Sequence, residues 1–202
     1  MPKKIILVGG GGHCKACIDI IENIKEYKIV GIIDSLKKKN LLKYKIIGQD
    51  KDLKFLNKKF KYAFITVGQI KNVDQRIKLF NKLKKLTYKI PTLISPNSLI
   101  SNYSSINQGT IIMNHVIIGP ETIIETNCIV NNKVLIEHES KIGNNCHIST
   151  GAIINGNVSI GNNTFIGSGV IIKNNVKIGN NVIIGASIYV DKDVEDNKIL
   201  KK

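Results

Sequence analysis

The chain has 202 residues, 43% of them hydrophobic, which suffices for a substantial core divided between two domains. It contains no apolar run long enough for a membrane-spanning helix, and Met1-Pro2-Lys3-Lys4 leads into only four apolar residues, too few for a secretory leader. A cytoplasmic protein is expected. The net charge of +15 is one-sided: residues 1–90 hold 22 Lys and Arg against 7 Asp and Glu, and residues 91–202 hold 8 against 8. That excess reads either as attraction for phosphorylated ligands or as a solvated lysine surface. With Arg76 as its single arginine and no aromatic stacking platforms, it does not read as a nucleic-acid surface.

Lys3–Val8 is predicted to be a buried strand, Gly9–Gly12 a tight loop, and His13 to about Lys25 a helix with Ile18, Ile21 and Ile24 at helical spacing. Strand, glycine loop and helix together aim backbone N–H groups and a helix start at a phosphate. Lys28–Ile33 reads as a second strand ending at Asp34-Ser35, where a ribose hydroxyl is often held. The dinucleotide fingerprint is not met, because Cys14 and Lys15 stand where a third glycine belongs. A mononucleotide-sized ligand suits the domain better.

Residues 36–48 form a lysine-rich connection with an apolar segment, Leu41–Ile47. Asp50–Lys59 is predicted helical, and Tyr62–Val67 a third strand closing at Gly68. Asn72–Leu86 is predicted as an amphipathic helix with Val73, Ile77, Phe80 and Leu83 on one face. The break near Pro91 divides a βαβ-type domain (1–90) from a repetitive one (91–202).

From Ile94 to Val190 every sixth residue is Ile or Val without a break in phase, and two residues before nearly all of them sits a small or β-branched residue. A period of six fits neither a helix nor simple strand alternation; it fits a solenoid of short strands and turns. Ile-Gly-Asn-Asn recurs at 142–145, 160–163 and 178–181, so three rungs make one 18-residue coil of a parallel β-helix. Cys128 and Cys146, 18 apart at the small position, are expected to stack inside as fillers. Cys14 and Cys17 form a lone C-x-x-C with no second zinc-spaced pair, so helix packing is expected.

His115, His138 and His147 are separated by 23 and 9 residues, which do not stack on an 18-residue coil, and no metal is expected. His138, in Ile136-Glu137-His138-Glu139, falls at a solvent-facing turn beside a carboxylate. Such a pair suits proton abstraction near neutral pH, although a surface His beside a surface Glu is the plainer reading.

The ordered set (glycine loop with His13, Asp34, Gly68, then Ile-Glu-His-Glu and Cys-His-Ile-Ser-Thr-Gly-Ala) resembles the PglD/NeuD-type sugar N-/O-acetyltransferases of the hexapeptide-repeat superfamily. The resemblance implies a small Rossmann-like domain followed by a left-handed β-helix; the left hand comes from it alone, since parallel crossovers are ordinarily right-handed. It implies acetyl transfer from acetyl-CoA to the amino group of a UDP-4-amino-sugar, with His138 as general base and Glu139 raising its basicity. Gly11, Gly12, His13, Asp34, Ser35 and Gly68 would hold the nucleotide; Asn131, His147, Gly156, Ser168 and Ala186 would lie along acetyl-CoA. A homotrimer is implied as well. Ser35 replaces the usual second acidic residue, and the tail lacks the family's Gly-x-Pro-Ala-Lys segment. Sialic acid O-acetylation and a non-catalytic β-helix binding module are the alternatives.

Overall fold

The computed structural model describes residues 1–35, 39–70 and 72–201. They form two compact units, Met1–Gly68 with Asp74–Leu93, and Gln69–Val73 with Ile94–Lys202. The first unit runs β1 (Lys3–Val8), α1 (Gly12–Asn23), β2 (Tyr27–Ile33), β3 (Asn40–Leu41), β4 (Tyr44–Gly48), α2 (Leu53–Leu56), β5 (Tyr62–Ile65) and α3 (Asp74–Lys85). Its sheet has the order β3-β4-β2-β1-β5, parallel except where β3 turns back on β4. Ile5–Val8 lie fully buried at its centre, as a parallel strand covered on both faces requires.

Three elements depart from the sequence reading. The apolar segment Leu41–Ile47 is a hairpin whose second strand joins β2; residues 36–38 of that connection lie outside the described residues. The predicted helix over 50–59 is one 3-10 turn, Asp50–Asp52, followed by the single-turn α2. Helix α3 starts at Asp74, a carboxylate that favours the positive end of the helix dipole, and buries Arg76, Leu79, Phe80 and Leu83. Val73 precedes the helix and Ile77 is only half-buried.

The second unit is a left-handed parallel β-helix of two-residue strands arranged in six-, five- and seven-stranded sheets. Pairing is offset by 18 residues throughout the main coils: Ile118 pairs with Ile136, Ile136 with Ile154, Ile154 with Ile172, and Ile172 with Val190. The predicted Ile and Val columns fill the interior, nearly all buried. The small inward positions also hydrogen-bond: Thr110, Thr122, Ser140 and Thr164 donate to carbonyls 15 residues on, and Cys128 and Cys146 do the same to Gly143 and Gly161. The two cysteines are therefore polar links as well as fillers.

From Gly109 to Ser187 every sixth residue turns the corner with φ between 55° and 75°, and Asn or Gly fills nine of the fourteen positions. That conformation crowds Cβ in other residues, which explains the recurring Asn of the Ile-Gly-Asn-Asn turn. Along one corner the asparagines also ladder: Asn127, Asn145, Asn163, Asn181 and Asn197 link side chain to side chain at 2.9–3.0 Å. The last coil is two residues short, with Ile178 bridging Val194 and Ile184 pairing with Leu200. A neighbouring column of Asn144, Asn162 and Asn180 ends there at Asp196, which accepts from the Asn180 backbone and side chain.

Candidate active site

The β-helix corners are chemically unequal. On the ladder corner, the turn N–H groups of Thr126, Asn144 and Asn162 donate to side-chain oxygens of Asn144, Asn162 and Asn180 one coil on. On the corner between the strands Leu135–Ile136 and Lys141–Ile142, the residue one coil beyond His138 is Gly156, which has no side chain to accept. Neither the His138 nor the Gly156 N–H donates to another described residue. This corner combines an imidazole with open backbone donors.

Two contacts fix the imidazole, and a third fixes its backbone. Its Nδ1 lies 2.9 Å from Glu139 Oε2, both side chains being about half exposed (51% and 56%). A carboxylate accepts, so Nδ1 carries the proton and Nε2 presents its lone pair. The ring covers Gly156: a Cβ built there would sit 2.6 Å from both Cε1 and Nε2. On the other side, a Cβ at Gly119 would fall 2.7 Å from the His138 backbone nitrogen. The turn itself is held by the Asn157 N–H donating to His138 O, and the Glu139 N–H donating to Pro120 O, each at 2.9 Å.

Glu139 occupies the corner position with φ 59°, where the coils elsewhere favour Asn and Gly. His115, Glu121, Lys133 and Ser187 hold the same state at other corners.

The remaining sequence-predicted residues of this unit scatter along the coils. Ser168 and Ala186, 18 apart, are exposed on a different corner, and Ser168 Oγ lies 2.9 Å from Ser149 Oγ. Asn131 is half-buried and its Oδ1 accepts from the Asn132 N–H at 2.8 Å. His147 is buried, with 7% exposure: Nδ1 meets the Gln69 carbonyl, and the ring packs edge-on against Phe165 at 5.2 Å. Gln69 also donates to Asn145 O at 2.8 Å, which ties the segment Gln69–Val73 to the coils.

In the first unit the glycine loop and the strand ends meet at the carboxyl edge of the sheet. The Gly10 N–H donates to Asp34 Oδ2, Thr66 Oγ donates to Gly9 O, and Gly68 packs beside His13. Gly11 begins α1 with no side-chain cap and no acidic group in the first turn, leaving the helix start open to an anion. Ser35 follows Asp34 at an exposed bend. Arg76, 1% exposed, was missed as a site-shaping residue: Nη1 donates to Ile65 O at 3.1 Å and Val67 O at 2.9 Å, just before Gly68. Its signal was being the one arginine among lysines, three residues before Leu79 on the apolar side of α3.

Cys14 and Cys17 are buried in α1; burial pushes the Cys14 thiol up to about 11 and that of Cys17 higher still. Such thiols pack rather than react. Among the described residues, no group of three His, Cys, Asp or Glu is assembled that could hold a metal ion, and no helix is long and apolar enough to cross a membrane.

Residues 4–83 match the PglD N-terminal domain, and residues 157–187 match the bacterial transferase hexapeptide (six repeats). A chain joining those two parts is a hexapeptide-repeat acetyltransferase. Its solved relatives include the acetyltransferase domain of PglB from Neisseria gonorrhoeae FA1090 in complex with acetyl coenzyme A (TM-score 0.92, 25% identity, 98% of this chain and 96% of that one). PerB from Caulobacter crescentus, in complex with CoA and GDP-perosamine, is similar to the same degree (TM-score 0.91, 25% identity, 97% and 92%). WeeI from Acinetobacter baumannii AYE shares the fold (TM-score 0.68, 22% identity, 98% and 97%). The match to the PglD N-terminal domain covers the first unit of the chain up to residue 83.

Proposed function

We propose that this protein transfers the acetyl group of acetyl-CoA to the amino group of a nucleotide-linked amino sugar of the UDP-4-amino-sugar type. The observation that carries the reading is the His138–Glu139 pair at 2.9 Å, beside a corner whose backbone donors are open. The likeness to acetyltransferases solved with acetyl-CoA, and with CoA and an amino sugar nucleotide, supports the substrate pair.

In the proposed reaction the neutral amine attacks the thioester carbonyl while His138 Nε2 takes its proton. Glu139 holds the Nδ1 proton and stabilises the imidazolium that forms. The carbonyl oxygen, negative in the tetrahedral intermediate, is stabilised by the Gly156 N–H, a type of donor worth about 3 kcal/mol. The C–S bond then breaks, CoA departs as thiolate, and the proton on His138 returns to it or to solvent. Ser168 and Ala186, small and exposed, leave room for the pantetheine arm, with Asn131 and His147 bordering the same coils. No covalent intermediate is required: among the described residues no Ser or Cys is hydrogen-bonded to the His138 imidazole, and Ser140 Oγ reaches His138 only at its carbonyl.

The nucleotide sits at the carboxyl edge of the first sheet. Gly11, Gly12 and His13 at the start of α1 take the phosphates, Asp34 and Ser35 the ribose or base, and Gly68 lets the ligand approach the backbone closely. The assembly is a homotrimer. Supporting this, the outward residues of one β-helix face are apolar in every coil (Leu99, Ile117, Leu135, Ile153, Ile171, Tyr189), against Ser105, Ile123, Lys141, Ser159 and Lys177 on another. His138 stands just past the Leu135 strand, at the border of that apolar face.

The test is acetyl-CoA turnover against UDP-, GDP- and dTDP-linked amino sugars and sialic acid, with the product identified by mass. An N-acetylated nucleotide sugar is expected. Turnover of sialic acid alone would overturn the amine reading, and no thiol release with any acceptor would return the β-helix to a binding module.

A further inference from the structure

The first unit carries a second organised feature, at the edge of its sheet opposite the glycine loop. In a parallel sheet all amino ends share one edge, and the register sets Lys4 beside Lys28, with Lys61 just before β5 and Lys89 hydrogen-bonded to the Lys61 carbonyl. Neighbouring strands lie about 4.8 Å apart, so Lys28, Lys4 and Lys61 stand level in a row spanning roughly 10 Å, while Lys89, level with Tyr62, extends the charge on the other face of the sheet. Beside the row opens a recess of about 390 Å³ lined by Lys25, Lys28, Lys43, Tyr27 and Tyr44. The carboxylates of Glu22, which lines the recess, and of Glu26 are both engaged: Glu26 with Lys3, and Glu22 with Lys43 and the Tyr44 hydroxyl. The edge is therefore strongly cationic, in a domain holding the chain's whole excess of positive charge.

We infer that this edge docks the protein on an anionic lipid bilayer surface. The cations are lysines, compact charges on flexible stems without the fork that reads a fixed phosphate geometry, and a row of them suits mobile headgroups. The tyrosines are not stacking platforms for bases. Tyr27 and Tyr62 meet edge to face at 5.9 Å, Lys3 lies over both rings, and Lys89 covers Tyr62 as well. Nucleic acid is disfavoured on that ground. The six-residue length of β1 sets this edge about 20 Å from the glycine loop, so docking leaves that loop open. The inference stands independently of the acetyl-transfer reading.

The test is sedimentation of the full chain with vesicles of phosphatidylcholine alone, and with about 30 mol % phosphatidylglycerol, at low and at roughly 0.5 M salt. Binding is expected only to the anionic vesicles and only at low salt. Replacing Lys4, Lys28, Lys61 and Lys89 by Gln is expected to weaken it at least about 100-fold, since each surface lysine contributes about fivefold. The activity of that variant on soluble substrates should stay within about twofold of wild type, because none of the four lysines lies at the glycine loop or the His138 corner. A control that removes equal charge elsewhere (Lys45, Lys51, Lys78 and Lys141 to Gln) is expected to keep binding within about fivefold. Equal loss in both variants would reduce the effect to net charge and overturn the docking edge. Absence of a preference for anionic vesicles, or tighter binding to duplex DNA at the same salt, would overturn it too.

Discussion

Gly156→Ala separates the geometry of the imidazole from the stability of the coil. The added Cβ would lie 2.6 Å from Cε1 and Nε2 of His138, where ordinary contact begins near 3.4 Å, so the ring must withdraw by nearly 1 Å. The backbone at Gly156 is not left-handed, and Ala is tolerated there without strain. Filling the position should leave stability unchanged or raise it by about 0.5 kcal/mol through the unfolded chain. Displacing a catalytic base by about 1 Å costs on the order of 100-fold in turnover. Thiol release from acetyl-CoA measures the rate, and thermal unfolding measures the coil. A folded variant with wild-type turnover would refute the claim that the ring must lie on this glycine.

Other outcomes follow from the same coordinates. Glu139→Asn replaces a residue at φ 59° by one that tolerates it, so unfolding should become harder by about 1 kcal/mol while turnover falls at least tenfold; a gain in both would discard Glu139 as the partner of the base. The Cys14 thiol, pushed up to about 11 by burial against an ordinary 9.0, keeps its proton while the unfolded chain loses one. Stability should be undiminished below pH 9 and decline as pH rises toward 11, and Cys14→Ala should flatten that decline in denaturant titrations; an unchanged slope would show that the thiol plays no part. Asp196→Ala removes the acceptor that ends the Asn180 ladder, and amide exchange at Ile199 and Leu200 should accelerate while that of the first coils does not.

What the chain disclosed and what it hid have physical reasons. The β-helix was legible because each coil repeats the same steric problem: an inward Ile or Val every sixth residue, and an Asn or Gly at most corners that need positive φ. The shortened last coil was not, since Asp191-Lys192-Asp193 keeps the polarity of a turn while dropping two residues. The β3–β4 hairpin was read as a connection because a two-residue strand followed by a five-residue one carries too little alternation to stand out. On α3 the apolar periodicity pointed to Val73 and Ile77, but carbonyls at the end of β5 drew Arg76 inward, a tertiary demand that no periodicity records. His138 and Glu139 were legible as neighbours. That Gly156 lies under the ring follows only from the 18-residue coil, which sets residue 156 directly beyond 138.

The most direct measurement is CoA thiol release by wild-type protein and by folded His138→Ala, given acetyl-CoA and a nucleotide-linked amino sugar. The account predicts one thiol per N-acetylated product in the wild type, and a loss of about two to four orders of magnitude in the variant. Equal rates in the two proteins would contradict it.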